Sequence, residues 1–162
     1  MITASHKPPE YNGYKVYGDD GAQLTGADQA KLEAAIDRVG DWASIPFLDP
    51  NDSLYKSRVK KIGADIRKAY YDSFKSLEFV SPARSPTKSN LKIVYSPLHG
   101  TGGAWLPGLL ERYGFSVQTV AEQEKPDGEF PTVKLPNPEE PEALKMAEEK
   151  ARAVKADIFL AT

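Results

Sequence analysis

The chain has 162 residues, enough for one domain of ordinary size or two small ones. Its 21 Lys and Arg stand against 23 Asp and Glu, a net charge of -2. That excludes the basic excess of a domain that neutralises many nucleic-acid phosphates, and the lack of cysteine excludes disulfides, thiolate nucleophiles and cysteine-ligated metals.

A hydrophobic fraction of 40% and an aromatic fraction of 10% fit a folded globular chain. No apolar run approaches the ~18–20 residues that span a bilayer. The first residues hold no secretory h-region, so a soluble cytoplasmic protein is expected, with neither membrane nor nucleic acid as partner. Proline is frequent at 13 residues, and Pro126, Pro131, Pro136, Pro138 and Pro141 cluster in one stretch.

In chain order, residues 1–3 could close a strand before a polar loop to Asn12, and Asn12-Gly13 signals a turn. Residues 14–17 are a short β-prone run, ended by the turn cluster Asp19-Asp20-Gly21. A helix is predicted over 27–39, with Leu32, Ala35, Ile36 and Val39 on one face, Asp28 as N-cap and Gly40 as the C′ residue. Residues 41–51 look irregular. Asp52 or Ser53 opens a long predicted helix to about 77, whose apolar repeat runs from Val59 to Phe74. Its basic face (Lys56, Arg58, Lys60, Lys61, Arg67, Lys68, Lys75) is read as a solvated surface. Residues 80–90 are polar and carry two prolines, so a domain boundary is placed there.

The pattern then changes. Strands are predicted at 91–95, 115–120 and 157–161, with helices at 104–113 and 139–154 between them. Leu106, Leu109 and Leu110 are the expected buried face of the first helix, and Pro107 fits only if it lies in the first turn. This βαβαβ order predicts a parallel sheet covered by helices. Ligands then collect outside the carboxyl ends of the strands, in the loops after Thr3, Tyr95, Val120 and Ala161.

The loop from Thr3 to Lys15 is the richest of these. Ser5 has an imidazole beside it in His6, and ammonium groups follow at Lys7 and Lys15. A serine hydroxyl needs a base or a cationic setting to act as a nucleophile, and such donors suit a site that handles a phosphoryl group. A capping or turn role is the plain alternative. In Ser96-Pro97-Leu98-His99-Gly100-Thr101-Gly102-Gly103, the strand-to-helix turn could bind an anion, and Glu122 lies about 20 residues on, as in a dinucleotide site. Trp105 stands where the third glycine of that fingerprint belongs, and no Gly-Lys-Ser/Thr is present. No histidine or carboxylate spacing typical of a metal site occurs.

Three segments carry a resemblance. Thr3-Ala4-Ser5-His6-Lys7-Pro8 with Tyr11-Asn12-Gly13-Tyr14-Lys15 resembles the phosphoserine loop of the α-D-phosphohexomutase superfamily, in its phosphoglucomutase/phosphomannomutase branch. Tyr95 to Gly103 resembles the start of that family's second domain. Pro126-Asp127-Gly128-Glu129-Phe130-Pro131 with Pro136-Asn137-Pro138-Glu139 resembles its next signature. The resemblance covers the whole chain in order.

It implies an α/β fold of two partial three-layer α/β/α domains, with mixed or parallel sheets flanked by helices. Residues 1–86 would be the C-terminal part of domain I, with the phosphoserine loop at 3–15, and 87–162 the N-terminal part of domain II. It implies an isomerase, an intramolecular phosphotransferase that interconverts hexose 1-phosphate and hexose 6-phosphate through phosphorylated Ser5 and a bisphosphorylated sugar. Ser5, His6 and Lys15 would be catalytic, and Lys7, Asn12 and His99 would bind substrate or phosphate. Magnesium would bind through the Ser5 phosphate and aspartates of a later loop, and a glucose 1,6-bisphosphate-type activator is implied. Lys7 replaces the family's usual Asn, adding positive charge. The chain is expected to be a segment of such an enzyme, with further domains outside it, and to be inactive alone. Glucose, mannose and pentose phosphates all stay open as substrates, as does a non-catalytic nucleotide-binding module.

Overall fold

The computed structural model describes residues 1–3, 6–76 and 91–162. The expected boundary at 86/87 lies outside them, as does Ser5. The chain divides into two compact units: Met1 with Tyr14–Ala69, and Ile2–Gly13 with Tyr70–Thr162.

The first unit holds α1 (Gly26–Asp37), α2 (Ser53–Arg58) and the start of α3 (Ala64–Ser73). None of its residues is buried. Met1 and Lys15 exchange backbone hydrogen bonds. The run at 14–17 forms only an isolated antiparallel bridge, Tyr17 to Gln23, around a turn in which Gly21 takes φ +78 and Ala22 N–H donates to Asp20.

Several expectations need correcting here. Helix α1 is capped at Thr25 rather than Asp28, which lies inside the first turn and pairs with Lys31 at 2.9 Å. It ends at Asp37 with Arg38 as C-cap, so Gly40 is not its C′ residue. The long helix over 53–77 is two short ones. Asp52 does cap the first, accepting from Leu54 N–H at 2.7 Å, but the backbone turns extended at Val59. Gly63 and the β-branched Val59 and Ile62 disfavour helix there, and no burial of these residues opposes that preference. The seven basic residues are exposed, and the break keeps them off a single helical face.

The second unit carries the sheet. Strands β1 (Lys92–Ser96), β2 (Ser116–Thr119) and β3 (Ile158–Ala161) are all parallel, in the order β2-β1-β3. Ile93 sits opposite Val117 on one side and Ile158 on the other. Central β1 is buried from Ile93 to Ser96, as its unbroken apolar run requires in a sheet covered on both faces. Helix α4 (Leu106–Arg112) connects β1 to β2, with Pro107 in its first turn, as the sequence demanded. Of its three leucines only Leu109 is buried, while Leu106 and Leu110 are half-buried. Gly114 at φ +86 ends the helix. Helix α5 (Pro141–Val154) connects β2 to β3, and packs Ala147 and Ala151 onto Val94 and Val120. Small alanines let α5 lie close to the sheet.

Tyr71, near the end of α3, anchors on α4. Its hydroxyl donates to the Trp105 carbonyl at 2.6 Å, its ring meets Trp105 edge-on, and the Arg112 guanidinium lies 4.8 Å from its centre. Among the described residues no helix is long and apolar enough to cross a membrane.

Candidate functional site

The strand order reverses at β1, and in such sheets the crevice forms at the carboxyl ends of the strands. An open cleft of about 780 Å³ lies there, within the second unit. Its floor is Tyr95 and Thr162, at the ends of β1 and β3. The loop after β1 contributes His99 and Gly102, and the proline-rich loop contributes Asp127 and Phe130. His6, Lys7 and Asn12 of the first loop line the same cleft.

Local geometry explains why these residues hold their places. The first loop is pinned by Thr3 N–H to the Gly13 carbonyl at 2.9 Å and turned by Tyr11 N–H to the Pro8 carbonyl at 3.0 Å. After β1, Leu98 and His99 both take left-handed backbone, φ 47 and 62. Such conformations are costly for non-glycine residues and persist only where the surroundings enforce them. His99 N–H donates to the Gln123 carbonyl, and Asp127 N–H donates to the His99 carbonyl, each at 3.0 Å. The loop after β1 is thereby tied to the turn after β2 and to the proline-rich loop.

Side chains complete the tie. Ser96 Oγ donates to Gln123 Oε1 at 2.6 Å, Gln123 Nε2 donates to Thr132 Oγ1 at 2.9 Å, and Thr132 Oγ1 pairs with His99 Nε2 at 2.8 Å. Tyr95 and Thr162 share a hydroxyl hydrogen bond of 2.7 Å. Burial holds the Tyr95 phenol above its ordinary pKa, with the Thr162 bond pulling the other way.

The glycines of the turn are explained by packing. A β-carbon on Gly102 would overlap the Tyr95 hydroxyl, and one on Gly103 would lie 2.6 Å from the Glu124 carbonyl oxygen. Thr101–Ala104 is a 3-10 turn rather than the start of a long helix, and α4 is only seven residues. Glu122 sits exposed in the turn after β2.

The cleft thus brings together four of the expected site residues: His6, Lys7, Asn12 and His99. Ser5 lies outside the described residues, and Lys15 belongs to the first unit, where it is exposed. His99 is only 4% exposed, its ring held by Thr132. Sequence reasoning missed Ser96, Gln123 and Thr132, whose partners are set by the fold, and Tyr95, whose hydroxyl meets Thr162 because β3 pairs beside β1. Among the described residues no group of three or more His, Asp or Glu side chains could hold a metal ion. The described residues therefore do not by themselves fit a magnesium site.

Comparison with known proteins follows the same lines. The model of phosphoglucomutase/phosphomannomutase alpha/beta/alpha domain I matches residues 1–41, and that of domain II matches residues 68–162. A phosphoglucomutase of Staphylococcus haemolyticus is 39% identical over the whole of this chain, and one of Staphylococcus epidermidis is 36% identical. One of Staphylococcus aureus is 37% identical over the same span. The chain spans 29%, 29% and 28% of their respective lengths. The parallel sheet, the loops at its carboxyl ends and these matches in chain order together establish that the chain belongs to the phosphoglucomutase/phosphomannomutase family.

Proposed function

We propose that this chain supplies the phosphoserine loop and one wall of the active cleft of a cytoplasmic phosphohexomutase. Its substrates are sugar phosphates, and the reaction interconverts hexose 1-phosphate and hexose 6-phosphate. The observation that carries the reading is the convergence of His6, Lys7, Asn12 and His99 on one cleft at the carboxyl ends of the strands. A cleft of that size admits a sugar phosphate, and donors of this kind complement its anionic oxygens.

In this reading the oxygen of Ser5 carries the phosphoryl group. A hydroxyl of the sugar monophosphate attacks that phosphorus, the bond from phosphorus to Ser5 oxygen breaks, and a bisphosphorylated sugar results. The intermediate reorients and returns its other phosphoryl group to Ser5. Lys7 and His6 offset phosphate charge, Asn12 and His99 hydrogen-bond substrate oxygens, and Lys15 assists proton transfer. A glucose 1,6-bisphosphate-type activator loads Ser5. Magnesium, which supplies charge neutralisation in phosphoryl transfer, would draw its ligands from the Ser5 phosphate and from groups beyond the described residues. Residues 1–86 and 87–162 are assigned to domains I and II.

The test is the gene product that carries this chain, purified and digested for peptide mass mapping. A phosphate on the peptide containing Ser5, and loss of at least about 10³-fold in mutase kcat in Ser5→Ala, are expected from removal of a covalent nucleophile. Near-normal turnover in Ser5→Ala would overturn the assignment.

A further inference from the structure

We propose that His99 is a tautomer-locked hydrogen-bond donor, presenting Nδ1–H to the cleft for a phosphate or sugar oxygen, with Ser96, Gln123 and Thr132 as its positioning residues. The idea rests on the reading of the cleft as a sugar-phosphate site, and the lock is the arrangement in which every proton of the relay finds an acceptor within it.

The backbone settles the direction of the relay. Leu98 N–H can only donate, and it donates to Ser96 Oγ at 3.1 Å. The Ser96 proton must then go to an acceptor, and Gln123 Oε1 lies 2.6 Å away. That orients the Gln123 amide, so its Nε2 donates to Thr132 Oγ1 at 2.9 Å. Thr132 now has one proton left to place, and His99 Nε2 stands 2.8 Å from its oxygen. With a proton on Nε2, Thr132 Oγ1 would accept twice and its own proton would have to leave the relay for solvent at this half-buried residue; with Nε2 bare, every proton of the relay has an acceptor inside it. In the proposed arrangement the uncharged ring accepts at Nε2 and carries its hydrogen on Nδ1. This is the reverse of a free imidazole side chain's preference, so it is a measurable imposition.

Nδ1 has no partner among the described residues, yet no buried side-chain nitrogen or oxygen in them is left unpaired. Nδ1 therefore keeps contact with solvent, although His99 as a whole is only 4% exposed, and His99 lines the cleft. The left-handed backbone at Leu98 and His99 sets the ring at this position. A donor fixed in direction before the ligand arrives needs no reorganisation when charge develops on the oxygen it faces.

In the gene product that carries this chain, ¹⁵N-histidine labelling reads the ring directly, and the signals lost in a His99→Gln variant identify His99. At mildly alkaline pH, His99 is expected to show a pyrrole-type Nδ1 bearing a hydrogen and a pyridine-type Nε2. A hydrogen on Nε2 instead would overturn the lock. Thr132→Val should relax the ring to a tautomer mixture, and Thr132→Ser should restore the single form. Retention of a pure Nδ1–H form in a folded Thr132→Val chain would remove Thr132 from its role. Should that variant not fold, the wild-type and Thr132→Ser spectra still decide. Inorganic phosphate should shift the His99 Nδ1 signal saturably, and no shift would overturn the donor role. Ser5→Ala should leave the tautomer untouched, so failure of the mutase reading would appear in the Ser5 experiment and not here.

Discussion

Replacing Gln123 by leucine tests the buried relay as an energetic unit. The side chain is fully buried, and leucine is close to it in size, so packing loss is small. The substitution strands the Ser96 hydroxyl, whose acceptor lies 2.6 Å away, and removes the donor 2.9 Å from Thr132. A buried hydroxyl without a partner costs about 1–3 kcal/mol, and a second lost hydrogen bond about 1 kcal/mol, so about 2–4 kcal/mol in all. In a domain of about 100 residues each kcal/mol lowers Tm by about 4–8 °C, so a fall of at least about 8 °C is expected by calorimetry. The double variant separates network from bulk. Ser96→Ala alone deprives both Gln123 Oε1 and Leu98 N–H of their partner. In Ser96→Ala/Gln123→Leu the stranded carbonyl and hydroxyl are both gone, so the combined cost should fall short of the sum by about 1 kcal/mol or more. Additivity within about 0.5 kcal/mol would refute the claim that these side chains act as one network.

Two further expectations concern the cleft floor. Gly102→Ala should destabilise the chain by about 1–3 kcal/mol in denaturant unfolding, because its β-carbon meets the Tyr95 hydroxyl, and Tyr95→Phe should recover part of that loss by removing the oxygen. Tyr95 should also make stability fall at alkaline pH. Burial raises its folded pKa above a tyrosine's ordinary value of about 10, so between that value and the folded one the unfolded chain has released the proton that the folded chain still holds. Its contribution is complete below about pH 10 and is lost as pH rises through the folded pKa. Unfolding free energies across that window should decline less steeply in Tyr95→Phe, and an equal decline in both would rule out Tyr95 as the source.

The sheet was legible because its signals are local. The apolar run at Ile93-Val94-Tyr95, the stop at Gly114 and the need of Pro107 for a first turn each carry their own physics, and each lies where expected. The helix over 53–77 was misread because Val59, Ile62, Ile66 and Tyr70 continue a helical period across Gly63. Periodicity expresses burial, and all four side chains are exposed. With no packing to reward the period, the weak helix preference of Val59, Ile62 and Gly63 prevails. Asp28 failed as a cap for a related reason. A residue suited to the cap is equally stable in the first turn when a lysine stands three positions on, as Lys31 does.

The site divides along the same line. His6, Lys7, Asn12 and His99 could be picked out because loops at the carboxyl ends of parallel strands must face the crevice, whatever their detailed conformation. The relay could not. Ser96 and Gln123 are 27 residues apart, Gln123 and Thr132 nine, and each residue type alone is unremarkable in a polar loop. What joins them is the left-handed backbone at Leu98 and His99, which the sequence announces only faintly, since leucine rarely adopts it and histidine does so only somewhat more often. That conformation aims the His99 N–H at the Gln123 carbonyl and the His99 carbonyl at Asp127 N–H. The backbone cost at two residues is thus offset by satisfying groups on three separate loops. The wall of the cleft is tied together at His99, because releasing either neighbouring segment removes a bond that holds its left-handed backbone.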